Sequence, residues 1–431
     1  MKILLIIGFW ALLLTGAASA QQPATAPPAS SDVRISALEQ QVSALKSEVE
    51  ELKAALTAAA PAAPTPQAAA APQAPPPTAV PAEVVSTQGG QIPVYGGATG
   101  LAKALNPDIS VIGDFLGAVG GNPIRPVPAL EMHETEVAFQ SVIDPYARAD
   151  FFISFGESGV NLEEGYITFT SLPAGFVARA GKMRAAFGKV NTLHNHVLPW
   201  TDRPLVTENL VGGEDGIDDA GFSVSHIFEG PKGLFLEATG QLYRGDSDEL
   251  LKSFRPSDVS PVAHLHGYKD LTDNTNLDIG LSYARGHNDA ASLLPPKRAE
   301  DFVTSLYGMD ATLRWKPLQR SIYHSFVARS EFVWSQRQQL PAEQRAFGFY
   351  SSADYQFARR WFFGGRFDWS DRAREANLTD KGGSLVLTYW PSEFAQLRGQ
   401  FRHTRYAENV DTNELRLQVQ FAIGAHGAHP F

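Results

Sequence analysis

The stretch from Asn106 to Phe431 constrains this chain most. One amphipathic strand follows another there, short turns alternate with long polar loops, and every second side chain is apolar. No segment after the first twenty residues is long and apolar enough to cross a bilayer as a helix, which takes ~20 residues. Strands cross lipid only as a closed sheet, because each unpaired backbone N–H or C=O is expensive in hydrocarbon. Repeats of ~10 alternating residues, with short turns at one end and long loops at the other, are the signature of an outer-membrane barrel. The expected class is all-β: an antiparallel transmembrane barrel of ~16 strands with both termini periplasmic, as an even strand number requires.

The residues before Asn106 divide by composition. Lys2, the apolar run Ile3 to Leu14 and the small-residue site Ala18-Ser19-Ala20 read as an export signal over 1–20. The chain has no cysteine, so neither a lipidated cysteine nor a disulfide is expected. Residues 21–31 read as disordered. Over 32–56 a heptad repeat places Ile35, Val42, Val49 and Leu56 at a, with Leu38, Leu45 and Leu52 at d. Arg34 and Glu48 at g face Glu39 and Lys53 at the following e positions in a parallel assembly, which predicts a periplasmic coiled coil. Pro61 ends the helix. Residues 57–105 are an Ala/Pro-rich linker and entry segment, extended where the prolines dominate, and 106–431 are the barrel.

Loop parity sets the strand count. Short connections are expected at Asp144-Pro145, Leu172 to Ala174, Glu229 to Lys232, Lys269 to Asn274, Pro317 to Arg320, Ala358 and Pro391-Ser392. Long ones are expected at Leu116 to Ala129, Arg184 to Asp218, Gly245 to Asp258, Gly286 to Asp301, Gln338 to Gln344 and Arg372 to Asp380. Including a strand at Val259 to Tyr268 keeps the alternation. The two-residue period then turns Leu415, Leu417, Val419, Phe421 and Ile423 to lipid, with Glu414, Arg416, Gln418 and Gln420 inward. By the same rule Arg366, Asp368, Arg398 and Arg402 face the lumen, joined by Arg314, Arg329, Asp310, Glu331, Asp354, Glu134, Glu136 and Asp150. Such a lumen is expected to be charged and wet rather than packed, with acid on one wall and base on another. The formal charge of −10 argues against nucleic-acid binding, which wants a basic stripe.

Around Asn106-Pro107-Asp108-Ile109-Ser110-Val111-Ile112, Asp144-Pro145-Tyr146-Ala147-Arg148-Ala149-Asp150 and Gly181-Lys182-Met183-Arg184-Ala185-Ala186-Phe187-Gly188 the chain resembles porin-like outer-membrane proteins. The nearest type is the phosphate-selective porin O and P family. The loop with His194-Asn195-His196 is similar to one in a group labelled zinc-regulated TonB-dependent outer-membrane receptors, and the coiled coil is similar in plan to the periplasmic extension of trimeric sugar-specific porins. The resemblance implies a sixteen-stranded, usually trimeric diffusion channel with a constriction loop folded into the pore. Two departures stand beside it. The inward arginines are interleaved with carboxylates, unlike a phosphate channel's basic ladder, and a TonB-dependent receptor plugs a larger barrel of ~22 strands.

Candidate functional residues fall into two sets. Lys182, Arg184 and Lys189 at the longest loop, with Arg366, Arg398, Arg402 and Arg416 on the walls, fit a cationic constriction that sets selectivity. Arg179 and Arg203 flank the same loop. His194 with His196, and His264 with His266, put two imidazoles close together, which suits zinc, although a full site needs three or four ligands and solvated histidines are the plainer alternative. His426 and His429 make a third pair. No nucleophile elbow or Ser/His/Asp spacing is present, so no enzyme activity and no cofactor are expected. The expected function is passive diffusion of small polar or charged solutes, with outer-membrane lipid, lipopolysaccharide and two further copies of the chain (a homotrimer) as partners. A structural envelope-anchoring barrel with a closed lumen, or a metal-related receptor, are the alternatives.

Overall fold

A computed structural model describes residues 107–157, 159–247, 250–290 and 302–424. The export signal, coiled coil and linker expected over 1–105 lie outside these residues, as do His426, His429 and Phe431.

Sixteen strands follow in order: β1 (Asp108–Val119), β2 (Leu130–Asp144), β3 (Ala147–Gly156), β4 (Gly159–Phe169), β5 (Phe176–Arg184), β6 (Asp218–Glu229), β7 (Phe235–Tyr243) and β8 (Ser260–Thr272). The second half comprises β9 (Thr275–His287), β10 (Val303–Trp315), β11 (Ser325–Arg337), β12 (Gln344–Ala358), β13 (Trp361–Asp371), β14 (Thr379–Ser392), β15 (Ala395–Arg405) and β16 (Asp411–Gly424). Each pairs antiparallel with its neighbours in sequence, and β1 pairs with β16 (Asp114 opposite Gln420) to close the barrel. Closure removes every sheet edge, which a hydrocarbon environment demands.

The alternation along each strand explains why the sheet closes. In β16, Thr412, Glu414, Arg416, Gln418 and Gln420 are buried inside while Leu415, Leu417, Val419, Phe421 and Ile423 are exposed outside. In β15, Gln396, Arg398, Gln400 and Arg402 point in, with Leu397 and Phe401 out. Polar inside and apolar outside inverts the arrangement of a protein folded in water. The outer surface is stable only against lipid.

Four connections differ from the sequence expectation. β8 extends to Thr272, leaving a two-residue turn at 273–274, because Lys269 and Asp270 continue the ladder opposite Leu277 and Asn276. The connection after β10 covers 316–324 rather than four residues. Two connections at the long-loop end, 157–158 and 406–410, are as tight as turns, so loop length alone does not reveal them.

The larger correction concerns the lumen. A packed apolar cluster fills much of it: Phe187, Val190, Val206, Leu210, Val211 and Ile217 from the loop after β5 meet Tyr243, Val262, Leu306, Val333, Tyr350 and Val386 from the walls. These wall residues are apolar exceptions at inward positions, and they coincide with the loop that covers them.

Candidate functional site

The loop at 185–217 folds into the barrel and crosses it. Its neck is closed by Asn191, whose Nδ2 donates to the Ala185 and Ile217 carbonyls (2.9 and 3.1 Å) while its Oδ1 accepts from the Ile217 N–H at 2.8 Å. The inward bend is made at Gly188, with φ +60°. A Cβ there would sit 2.0 Å from Glu331 Oε1, so only glycine fits. Glu331 is fully buried and accepts the Lys189 and Val190 N–H groups at 3.2 Å each. Beyond the neck, a stem (185–192 and 204–217) packs through the apolar cluster, and a tip (193–203) reaches the polar walls.

On one side the tip meets acid. His194 Nδ1 lies 2.7 Å from Glu136 Oε2 and 3.0 Å from Glu163 Oε2, and its Nε2 lies 3.0 Å from Glu164 Oε2. Burial pulls the His194 imidazole down, but hydrogen bonds to these three carboxylates outweigh it and hold it well above the ordinary value. His196, buried two residues on, is held low by desolvation. Asn195 donates to Glu134 at 3.3 Å and to Glu214 at 2.5 Å. Arg184 ties the wall to the loop through Glu163 (3.1 Å) and the carbonyls of Glu214 and Asp215.

On the other side the tip meets base. Asp202 Oδ2 pairs with Arg366 and Arg402, both at 2.9 Å, and its Oδ1 accepts from Gln400 at 2.5 Å. Burial alone would raise the Asp202 carboxyl; the facing arginines hold it below the usual carboxylate range. Arg366 also stacks over Trp200 with its guanidinium carbon 4.8 Å from the ring centre, and Trp200 meets Tyr350 edge-on at 5.2 Å. Arg398 donates to the Trp200 carbonyl at 3.2 Å and to Gln418 at 2.7 Å. Arg203, at the end of the tip, donates to the Val190 and Leu193 carbonyls and Asn195 Oδ1; burial pushes its guanidinium down to about 10.

A cavity of about 210 Å³ runs along the β1/β16 seam, where the acidic and basic walls meet. Asp114, Glu131 and Glu214 line it on one side, with Arg125, Arg203, Arg402 and Arg416 on the other. At the opposite side of the lumen, cavities of about 280 and 180 Å³ are lined by inward polar residues of β4 to β10, including Arg179, Glu237 and Asp310.

The structure brings some of the sequence candidates together and separates others. Arg366 and Arg402 converge on Asp202, Arg398 holds the tip backbone, and Arg416, paired with Glu414 at 2.9 Å, lines the seam cavity. Lys182 stands apart. It shares a face with Ala180 and, across the ladder, with the outward Ala220, and its Nζ pairs with Asp218 at 2.8 Å beside a rim pocket, not the constriction. Lys189 points into the smallest of these cavities, 3.3 Å from Asp278. The two histidine pairs keep different company: His264 bonds Ser282 at 2.8 Å and His266 meets Asp278 at 2.8 Å, while His194 and His196 face the β2–β4 glutamates.

Sequence reasoning did not single out Asn191, Asp202, Glu163 or Glu164. Glu163 is the extra residue of a bulge where Phe152 pairs with Glu164 and Ile153 with Leu162; a strict two-residue period cannot place it. Asp202 carried no signal in sequence, since its partners are about 160 and 200 positions away along the chain.

No protein-family model matches the chain. An uncharacterized protein of Aquifex aeolicus (strain VF5) is 27% identical, covering 76% of this chain and 81% of that protein. Among solved structures, the anion-selective porin from Comamonas acidovorans superposes with a TM-score of 0.52 at 9% identity, over 74% of this chain and 99% of that one. Salmonella typhi OmpF, in a complex with daunomycin, gives 0.51 at 8% identity, over 74% and 98%. At such identities the likeness is one of fold: the chain has the sixteen-stranded porin barrel.

Proposed function

We propose that this chain is an outer-membrane channel through which small polar or charged solutes diffuse passively. The observation that carries this reading is the inversion of polarity around a closed barrel: lipid-compatible outside, and inside a loop that narrows the lumen to charged cavities instead of continuing the wall. The seam cavity supplies the narrow passage, with Asp114, Glu131 and Glu214 facing Arg125, Arg402 and Arg416 across it. Opposed fixed charges in a low-dielectric constriction orient dipolar solutes and filter ions by charge. With both signs present, the passage suits zwitterionic or small polar solutes better than a purely anionic one, so phosphate selectivity is not part of the proposal. Assembly as a homotrimer, held in part by the 32–56 heptads, is the accompanying expectation for quaternary structure.

Planar-bilayer recording tests the function. Purified protein should give stepwise, ohmic openings. The rival reading, a closed barrel anchoring a periplasmic stalk, draws on the apolar cluster around the loop stem, and a folded barrel that inserts without conducting establishes it instead.

A further inference from the structure

Diffusion needs charged walls, but it has no use for buried side chains of opposite chemistry crowded on one spot of the loop. Glu134, Glu136 and His196 offer ligand atoms that all lie within 4.8 Å of one another, and so do Glu136, Glu163 and His194. Glu136 belongs to both triads, and all five residues are buried. We propose that Glu134, Glu136 and His196, with Glu163 and His194 beside them, form a binding site for a divalent transition cation of the zinc class, which ties the loop tip to the β2–β4 wall.

An unpaired imidazole nitrogen points to a ligand. His196 is 7% exposed, yet its Nδ1 has no hydrogen-bond partner. A buried polar atom left unpaired is costly, and native structures rarely tolerate it without a ligand or ion to complete it. His196 Nδ1 stands 3.7 Å from Glu136 Oε2, too far for a hydrogen bond. Two ligands on a tetrahedral zinc, each ~2.0–2.2 Å from the metal, lie ~3.3–3.5 Å apart, so a shift of a few tenths of an ångström seats an ion between them.

Charge points the same way. Glu134, Glu136, Glu163 and Glu164 bring four carboxylates to the wall, and the Glu134 carboxylate lies against that of Glu163. Against them stand Arg184, paired with Glu163, and His194. Arg203 is near but donates to carbonyls and Asn195 instead. Carboxyl groups outnumber the cationic side chains Arg184, His194 and Arg203 at this spot, a donor-rich surrounding for a cation. Mixed imidazole and carboxylate donors select zinc and its neighbours; calcium and magnesium prefer oxygen alone. Both histidines come from the loop and all the glutamates from the wall, so one ion bridges two parts of the chain that are already joined by hydrogen bonds, ion pairs and the contact of the His194 and Phe152 rings.

The test uses the untagged full-length mature protein in mild detergent, stripped with EDTA and titrated with zinc chloride by calorimetry, with metal content measured after gel filtration. Zinc should bind stoichiometrically with the chain, and calcium should not compete. Glu136→Gln and His196→Ala should each weaken binding at least ~tenfold, while His264→Ala/His266→Ala and His426→Ala/His429→Ala should leave it unchanged. Cobalt(II) on the wild-type protein gives an independent readout: it should show the visible absorption of a low-coordinate site, displaced by zinc, whether or not a variant folds. No stoichiometric zinc in the wild-type protein, or uptake that survives Glu136→Gln and His196→Ala and vanishes with His264→Ala/His266→Ala, overturns the site. A protein that conducts but binds no zinc refutes this site alone; one that binds zinc and never conducts refutes the channel alone.

Discussion

The stem and the tip of the 185–217 loop are held by opposite physics. In the stem, Phe187, Val206, Leu210 and Ile217 are wholly buried among Tyr243, Leu306, Val333 and Tyr350, contacts that neither pH nor salt changes directly. In the tip, Leu198 and Trp200 are the buried apolar side chains, and His194, Asn195, Asp202 and Arg203 meet charged or polar partners. Dispersion and hydrophobic contact fix where the loop goes; ion pairs fix how its end sits against two walls of opposite sign. A loop built this way is rigid at its root and responsive to ions and pH at its end. In the channel proposed above the tip is the selectivity element, because charge at a constriction governs passage.

The widest separation between the halves should come from Phe187→Ala. The side chain is fully buried and packs against Gly308, which leaves no room for a Cβ without displacing the ring (3.1 Å). Emptying that space should cost about 3–5 kcal/mol of stem stability, read as faster hydrogen exchange and proteolysis across 185–217 while heat-modifiable mobility of the barrel is kept. If the loop stays protected, the stem is not what anchors it.

Asp202→Asn addresses the tip and should have a smaller effect, about 1.5–3 kcal/mol, the worth of hydrogen bonds to a charged group. The folded carboxyl is depressed below its unfolded value by Arg366 and Arg402. Its stabilisation is therefore present above the unfolded value and is lost only as pH falls through the lower, folded one. The wild-type tip should stay docked through mild acid, whereas the variant lacks that acid transition. Removing the carboxylate takes from Arg402 the ion-pair partner it shares with Arg366, and leaves Arg366 with Asp368, so reversal potentials in a salt gradient should move toward anions. An unchanged preference would place the ion path elsewhere than along this wall.

Lys182→Glu should do least. The ammonium is about a third exposed at the rim, where it pairs with the buried Asp218, so the change acts on the rim and not on the tip. Ion preference should be unaltered. A reversal potential that shifts as far as in Asp202→Asn would return Lys182 to the constriction and dissolve the distinction between rim and tip.

What the sequence by itself determined is the barrel. The alternation Glu414-Leu415-Arg416-Leu417-Gln418-Val419 leaves a strand one choice of inner face, because a one-residue slip would put arginine and glutamate into lipid. The even strand number, the closing of β1 on β16 and the long loop after Arg184 follow from the same local rule, and so do the inward Arg366, Arg398, Arg402 and Arg416. The tertiary structure decided everything that depends on chain segments meeting across the lumen. The apolar inward residues Tyr243, Leu306 and Val333 look like lapses in the pattern until Phe187 and Leu210 are laid over them. Asp202 is an ordinary loop aspartate until the two arginines of β13 and β15 close on it. Glu163 leaves the alternation altogether at its bulge and arrives beside Glu134, Glu136 and two loop histidines. Strand periodicity is a property of adjacent residues, so it survives in the linear text; the convergence of a loop on distant walls is set by closure of the whole barrel, and no local spacing encodes it.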